Sequence, residues 1–274
     1  MDGASRESMR AALSRFEDEV GSLSGGGAGA NEVSEGLYAV AGLLDREPSL
    51  RRALTDPASS PDSRRALVQG LFGRQLAALP LQVLSGLAVS PWHSPADLRE
   101  AVETLAAQAA LVAAEADGAL DDVEDELFRF ARLLEREPQL RAALTDPGLP
   151  DARKTGLLQS LLGERARPAT VRLVEVAVTR PRGRSLETVL DELGRLAAAR
   201  RQRLVAQVRA AAPLTAQQTE RLQAVLARIY GRQVQLQVDI DPDVLGGVQV
   251  RVGDEVLDGT VVRRLDDVRR RLSH

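Results

Sequence analysis

The chain has 274 residues, a net charge of −3 and no cysteine. Without cysteine there is no disulfide framework, no thiolate metal site and no cysteine nucleophile, which fits a reducing compartment. A near-balanced charge over a chain that is 27% charged provides no global basic field to draw nucleic acid.

Aromatic residues make up only 3% of the chain while Ala, Leu and Val are abundant, so its cores are filled by small aliphatic side chains, as at helix interfaces. The length allows two or three domains with cores of their own. No stretch approaches the roughly 18 uninterrupted apolar residues of a membrane span. The opening MDGASRESMRAAL lacks the apolar centre of a signal peptide, so a soluble, cytoplasmic chain is expected.

Taken in chain order, SGGGAGAN at 24–31 reads as a flexible connection. Residues 43–57, LLDREPSLRRALTDP, then return ninety positions later as LLEREPQLRAALTDP at 133–147, with twelve of fifteen positions identical. Such self-similarity marks a duplicated structural unit. The same register pairs Val33, Leu37, Tyr38 and Ala41 with Val123, Leu127, Phe128 and Ala131, and Leu67, Gln69, Leu71 and Gly73 with Leu157, Gln159, Leu161 and Gly163. In the second copy Leu127, Phe130, Ala131 and Leu134 form one helical stripe. Pro138 opens a further helix that carries Leu140, Ala143 and Leu144 and stops at Asp146-Pro147. The first copy repeats this with Pro48, Leu50, Ala53, Leu54 and Asp56-Pro57. Between the copies, residues 96–115 run without Gly or Pro through Leu98, Val102, Leu105 and Leu111, a helix that closes one bundle and opens the next.

Beyond Arg203 the period changes from helical to alternating. Val234, Leu236, Val238 and Ile240 alternate with Gln and Asp, and Val248, Val250 and Val252 alternate with Gln249 and Arg251, which predicts strands with one buried face. Gly253-Asp254 suits a two-residue hairpin. A helix carrying Leu222, Val225, Leu226 and Ile229 on one face precedes these strands, opened by the capping box Thr215-Ala216-Gln217-Gln218. A last helix is expected after Thr260, with Val261, Leu265, Val268 and Leu272 on one stripe. The fold expected is mostly α, two tandem homologous helical bundles followed by a small α/β module, divided at 1–104, 105–202 and 203–274.

Candidate chemistry is sparse. His93 in SPWHSP and His274 have no second His or Cys at ligand spacing. Lys154, the only lysine, lacks the glycine setting of a phosphate loop, and no serine sits in a nucleophile elbow. Gly25, Gly26, Gly27 and Gly29 follow no strand and read as linker; an enzyme with a phosphate site there is a weaker reading. Asp121, Asp122, Glu124, Asp125 and Glu126 read as an acidic helix start suited to the helix dipole, ahead of a metal site. Trp92 lies between two prolines as a bundle plug or a contact. No catalytic, cofactor-binding or metal residue is assigned.

Arg180, Arg182 and Arg184 punctuate a Pro/Gly turn, Arg200, Arg201 and Arg203 end a helix, and Arg269, Arg270 and Arg271 close the last one. They read as solvated faces, since base stacking would require interleaved aromatics that are missing. The alternative function is an RNA-associated adaptor using the arginines between Arg180 and Arg209.

The C-terminal third resembles the delta subunit of F-type ATP synthases, known in mitochondria as the oligomycin-sensitivity conferral protein. The residues that carry the likeness are Tyr230-Gly231-Arg232, Asp239-Ile240-Asp241-Pro242, Leu245-Gly246-Gly247-Val248, Val252-Gly253-Asp254 and Leu257-Asp258-Gly259-Thr260. In the preceding bundle Pro138-Gln139-Leu140-Arg141, Leu161-Leu162-Gly163 and Gly183-Arg184 also fit the family pattern, so the likeness covers roughly residues 105–274. It implies a non-catalytic stator subunit, peripheral at the cytoplasmic side of the cell membrane. It further implies that the bundle binds amino-terminal segments of alpha subunits and the last module grips the b subunit, with no cofactor, small-molecule ligand or nucleic acid. Residues 1–104 depart from ordinary members as an extra bundle, a layout similar to long actinobacterial delta subunits.

Overall fold

The computed structural model describes residues 2–21, 26–201, 204–230, 234–241, 244, 248–252 and 255–258. Its helices are α1 (Gly3–Gly21), α2 (Gly26–Arg46), α3 (Pro48–Thr55), α4 (Pro61–Phe72), α5 (Ala78–Val89), α6 (Pro95–Ala116), α7 (Leu120–Arg136), α8 (Pro138–Thr145), α9 (Asp151–Leu162), α10 (Pro168–Thr179), α11 (Leu186–Arg201) and α12 (Ala216–Tyr230). The strands are β1 (Leu204–Ala210), β2 (Val234–Ile240), β3 (Val248–Val252) and β4 (Glu255–Asp258). Two compact units result, Met1–Ala198 and Ala199–His274. The mostly α architecture with a small α/β module is the one the sequence predicts.

The duplication is visible helix by helix. Helices α3, α4 and α5 return as α8, α9 and α10 with starts ninety residues apart, and each short helix begins at its proline, Pro48 or Pro138. The same positions are buried in both copies: Val33 and Val123, Leu37 and Leu127, Leu44 and Leu134, Leu54 and Leu144. Even a buried cation recurs, Arg64 in α4 and Lys154 in α9. Arg64 donates to the carbonyls of Val89 and Ser90 at 3.3 and 3.4 Å, where the last carbonyls of α5 need partners.

The run expected at 96–115 is the helix α6, capped by Ser94, whose hydroxyl accepts from the Asp97 N–H at 3.2 Å. It serves both copies, and buried alanines line most of its length. The division expected at 104 falls inside this helix. One continuous hydrophobic core extends from Ala12 to Ala197, so side chains from both copies meet without a gap.

The flexible connection expected at 24–31 is corrected from Gly26 onward, where α2 has already begun; residues 22–25 lie outside the described residues. A Cβ on Gly27 would stand 2.9 Å from the Cβ of Ala116. This glycine lets the start of α2 approach the end of α6, and packing overrides its low helix propensity. Trp92 is a plug: it is 8% exposed and its Nε1 donates to the Leu87 carbonyl at 2.7 Å.

In the second unit the sheet order is β2-β1-β3-β4. Strand β1 pairs parallel with β2 across the α12 crossover and antiparallel with β3. Its residues Ala206, Val208 and Ala210 are buried and alternate with exposed Gln207 and Arg209, a short period-two signal that the sequence reading passed over. The capping box forms as expected: the Thr215 N–H donates to Gln218 Oε1 at 2.8 Å, and the Gln218 N–H to Thr215 Oγ1 at 3.3 Å.

The predicted apolar faces are only partly covered. Among the described residues Leu226 and Val234 are buried, but Val225, Ile229, Val238 and Ile240 are exposed. Val252 lies opposite Glu255, which leaves two residues between β3 and β4. Gly253-Asp254 themselves and the helix expected after Thr260 lie outside the described residues.

Candidate functional site

A polar seam joins the two copies within the helical unit. Along α2 the residues Glu35, Tyr38, Gly42 and Asp45 fall on one stripe. Across from it stand Arg172 of α10 and the turn Pro181-Arg182-Gly183-Arg184. Arg172 pairs with Glu35 at 2.7 Å, Arg180 donates to the Tyr38 carbonyl at 2.8 Å, and Arg182 donates to Asp45 at 2.8 Å. Arg182 also pairs with Glu103 of α6, while Arg184 pairs with Glu192 at 2.6 Å. Arg99 of α6 approaches Asp45 at 3.5 Å.

The local backbone explains how the turn reaches inward. Arg182 has φ 52 and Gly183 φ 73, two successive left-handed residues that reverse the chain sharply between α10 and α11. An arginine there costs on the order of 1 kcal/mol, and the carboxylates on either side of its guanidinium hold it. Its side chain is 12% exposed and that of Glu103 13%, so the pair sits in a medium where charges act strongly on one another. Burial pulls the Arg182 pKa down, and the hydrogen bond and charge of Asp45 oppose that pull. Burial pushes the Tyr38 phenol above its ordinary range, with Arg172, Arg180 and Arg182 pulling the other way.

The solvated-face reading of Arg180, Arg182 and Arg184 is therefore corrected: Arg180 and Arg182 are committed to the first copy, and Arg184 is held by Glu192 within its own copy. Arg200 is buried, and Arg209 pairs with Asp241 at 3.1 Å. The RNA-adaptor alternative has no support.

The acidic start of α7 is likewise structural. Asp122 accepts from Arg167 Nε at 2.9 Å, and Glu126 accepts from the Arg167 N–H at 2.9 Å and from the Thr170 hydroxyl, tying the start of α10 to α7. Asp125 pairs with Arg129 one turn on. His93 is exposed, with Nδ1 3.1 Å from Asp2, and Lys154 is buried in α9. Gly27 and Gly29 are helical, whereas Gly25, Arg203, Arg269, Arg270, Arg271 and His274 lie outside the described residues. Among the described residues no group of three His, Cys, Asp or Glu could hold a metal ion.

The acidic partners of the seam, Glu35, Asp45 and Glu103, were not singled out from sequence. The available signal lay in the differences between the copies: Gly42 of the first stands where the second has Arg132, and Tyr38 is buried while its counterpart Phe128 is 59% exposed beneath the Arg132 guanidinium.

What these residues build is a helical scaffold braced by internal charge pairs. Comparison with known proteins gives the scaffold its family. The model of the ATP synthase delta (OSCP) subunit matches residues 105–272. The chain is 50% identical to the ATP synthase subunit delta of Parafrankia sp. (strain EAN1pec), covering 100% of both chains, and 49% identical to that of Streptomyces griseus, again covering 100% of each. To that of Frankia alni it is 50% identical, covering 99% of each. A chain of the Toxoplasma gondii mitochondrial ATP synthase hexamer matches 61% of this chain and 95% of its own at 25% identity, with a TM-score of 0.27 that supports no comparison of arrangement. The chain belongs to the ATP synthase delta (OSCP) subunit family, as a non-catalytic subunit of the peripheral stalk. Because the relatives match over their whole length, the additional amino-terminal bundle is part of their layout too.

Proposed function

We propose that the chain is the stator link of a proton-translocating F-type ATP synthase in which the helical unit takes amino-terminal segments of alpha subunits and the α/β unit takes the b subunit. The observation that carries this is the division into two compact units, each with its own hydrophobic core, since a link that bears load needs two independent attachment bodies. The association is peripheral, at the cytoplasmic side of the cell membrane; no described helix is long and apolar enough to cross a membrane. Within this reading the segments 1–104, 105–202 and 203–274 are a division by ancestry and attachment, with α6 shared by the first two.

The mechanism is mechanical. Proton flow turns a rotor, and the catalytic head can be strained only if it is kept from turning with that rotor. Membranes depleted of the chain should keep head-bound ATP hydrolysis and lose ATP synthesis, and purified chain should restore it. Normal synthesis in membranes shown to lack the chain, or nucleotide hydrolysis by the isolated chain, would overturn the proposal.

A further inference from the structure

A cleft of about 490 Å³ opens beside the polar seam, where α2 of the first copy meets α9 and α10 of the second. Its lining includes Tyr38 and Ala39 of α2, Arg172 and Glu175 of α10, and Arg180 just past the end of α10. Two guanidinium groups thus stand against one carboxylate, and Glu175 accepts from the Thr155 hydroxyl of α9 at 3.3 Å. Arg172 is paired with Glu35, but Arg180 meets no carboxylate among the described residues; its Nη1 donates to the Tyr38 carbonyl. A half-buried cation with only a carbonyl partner leaves a charge to be balanced. Tyr38 is 7% exposed, yet its hydroxyl has no hydrogen-bond partner among the described residues. Burial keeps this phenol protonated at neutral pH, and of the charges that act on it, Arg172 and Arg180 belong to this cleft. It is a donor in want of an acceptor. The first copy has no such set, since Gln82 and Ser90 stand where the second has Arg172 and Arg180.

We infer that this cleft binds the phosphate group of a small phosphate compound, with the Arg180 guanidinium as its counter-charge and the Tyr38 hydroxyl and Arg172 as further donors. Such a site is not implied by the family likeness, and it is independent of the stator role. A guanidinium offers its N–H groups in a planar fork that matches the oxygens of an oxyanion, and Arg180 has the rest of its fork to give beyond Nη1. The neutral phenol adds a donor without adding charge, and the low dielectric around a buried ring strengthens that bond. The donors come from three side chains on both copies. A tetrahedral anion accepts from several directions at once, whereas a planar carboxylate is filled by a single fork. The volume lies within the range of small-molecule pockets and exceeds what inorganic phosphate alone would fill. Free phosphate and phosphate esters therefore share the chemistry that the cleft recognises.

Titration of the full chain, followed by the arginine Nε–H signals in nuclear magnetic resonance, tests the site. The probes are inorganic phosphate, ADP and citrate, at an ionic strength held constant with chloride. Phosphate and ADP should each give saturable shifts of the Arg172 and Arg180 signals. Equal midpoints identify free phosphate as the source, and a lower midpoint for ADP identifies an ester. Arg180→Gln, followed on the Arg172 signal, should weaken binding about tenfold, and Arg180→Lys should restore part of the loss. Ala39→Trp, at an exposed position of the lining, should block binding at an unchanged thermal midpoint, and it decides the matter where a variant of Arg180 fails to fold. Shifts that chloride alone reproduces, saturation by citrate with phosphate silent, or undiminished phosphate binding in Ala39→Trp would overturn the inference and leave the stator proposal standing.

Discussion

Arg180 lies across Gly42: the guanidinium reaches the Tyr38 carbonyl over a helix position where a Cβ would stand 2.7 Å from Nη2. The second copy places Arg132 at the equivalent position, so the face that accepts an arginine in one copy presents one in the other. Gly42→Ala should be close to neutral, because the far end of a flexible side chain can yield and alanine favours the helix by about 1 kcal/mol. Gly42→Arg should expel Arg180 and lower stability by about 1–3 kcal/mol. Urea denaturation of the two variants provides the comparison.

The buried pairs on Arg182 make a sharper test. Arg182→Met removes the cation that Asp45 and Glu103 share, leaves them only the longer contacts of Arg99 at 3.5 Å and Arg184 at 3.8 Å, and should cost up to about 3 kcal/mol. Replacing all three by apolar residues of similar volume should recover part of that loss, because the facing carboxylates are gone and the Arg99 left behind still reaches water. A single variant as stable as wild type would show that the seam contributes little.

Leu54 and Leu144 are both fully buried and occupy equivalent positions. Leu54→Ala and Leu144→Ala should each cost about 2–5 kcal/mol. Since one core joins the copies, each substitution should shift a single unfolding transition of the helical unit. A split transition in calorimetry, with only one half displaced, would mean that the copies fold as separate domains.

The helical unit should stand without the sheet. A chain ending after Arg201 retains the core from Ala12 to Ala197 and should show a cooperative thermal transition and full helical circular dichroism. It should also bind the catalytic head; a well-folded truncation that fails to do so would contradict the assignment of that contact to the helices.

Acid should loosen the start of α11. The Glu187 carboxyl is held below its ordinary value of 4.5 chiefly by its own backbone N–H, with Ser185 and Arg141 adding to the effect. A depressed folded-state pKa stabilises fully above the unfolded value and is lost as the pH falls through the folded one. The stability difference between wild type and Glu187→Gln should therefore be present at neutral pH and vanish in acid below that range. The effect should be small, since the side chain is 40% exposed.

The helices were legible because their signals are local. Pro48 and Pro138 open a helix by removing an N–H that a first turn leaves unpaired, Asp56-Pro57 and Asp146-Pro147 end one, and periodic leucines mark the buried stripe. The repeat showed that these marks come twice, and residues such as Tyr230-Gly231-Arg232 indicated the family. Tertiary structure alone decided that the two copies share α6 and one core, that Gly27 is helical because Ala116 packs against it, and that Arg182 turns inward to Asp45 and Glu103. Those partners are 137 and 79 residues away along the chain. No local period records such a distance: the energy of a charge pair depends on separation in space and on exclusion of water, and both exist only once the helices have packed.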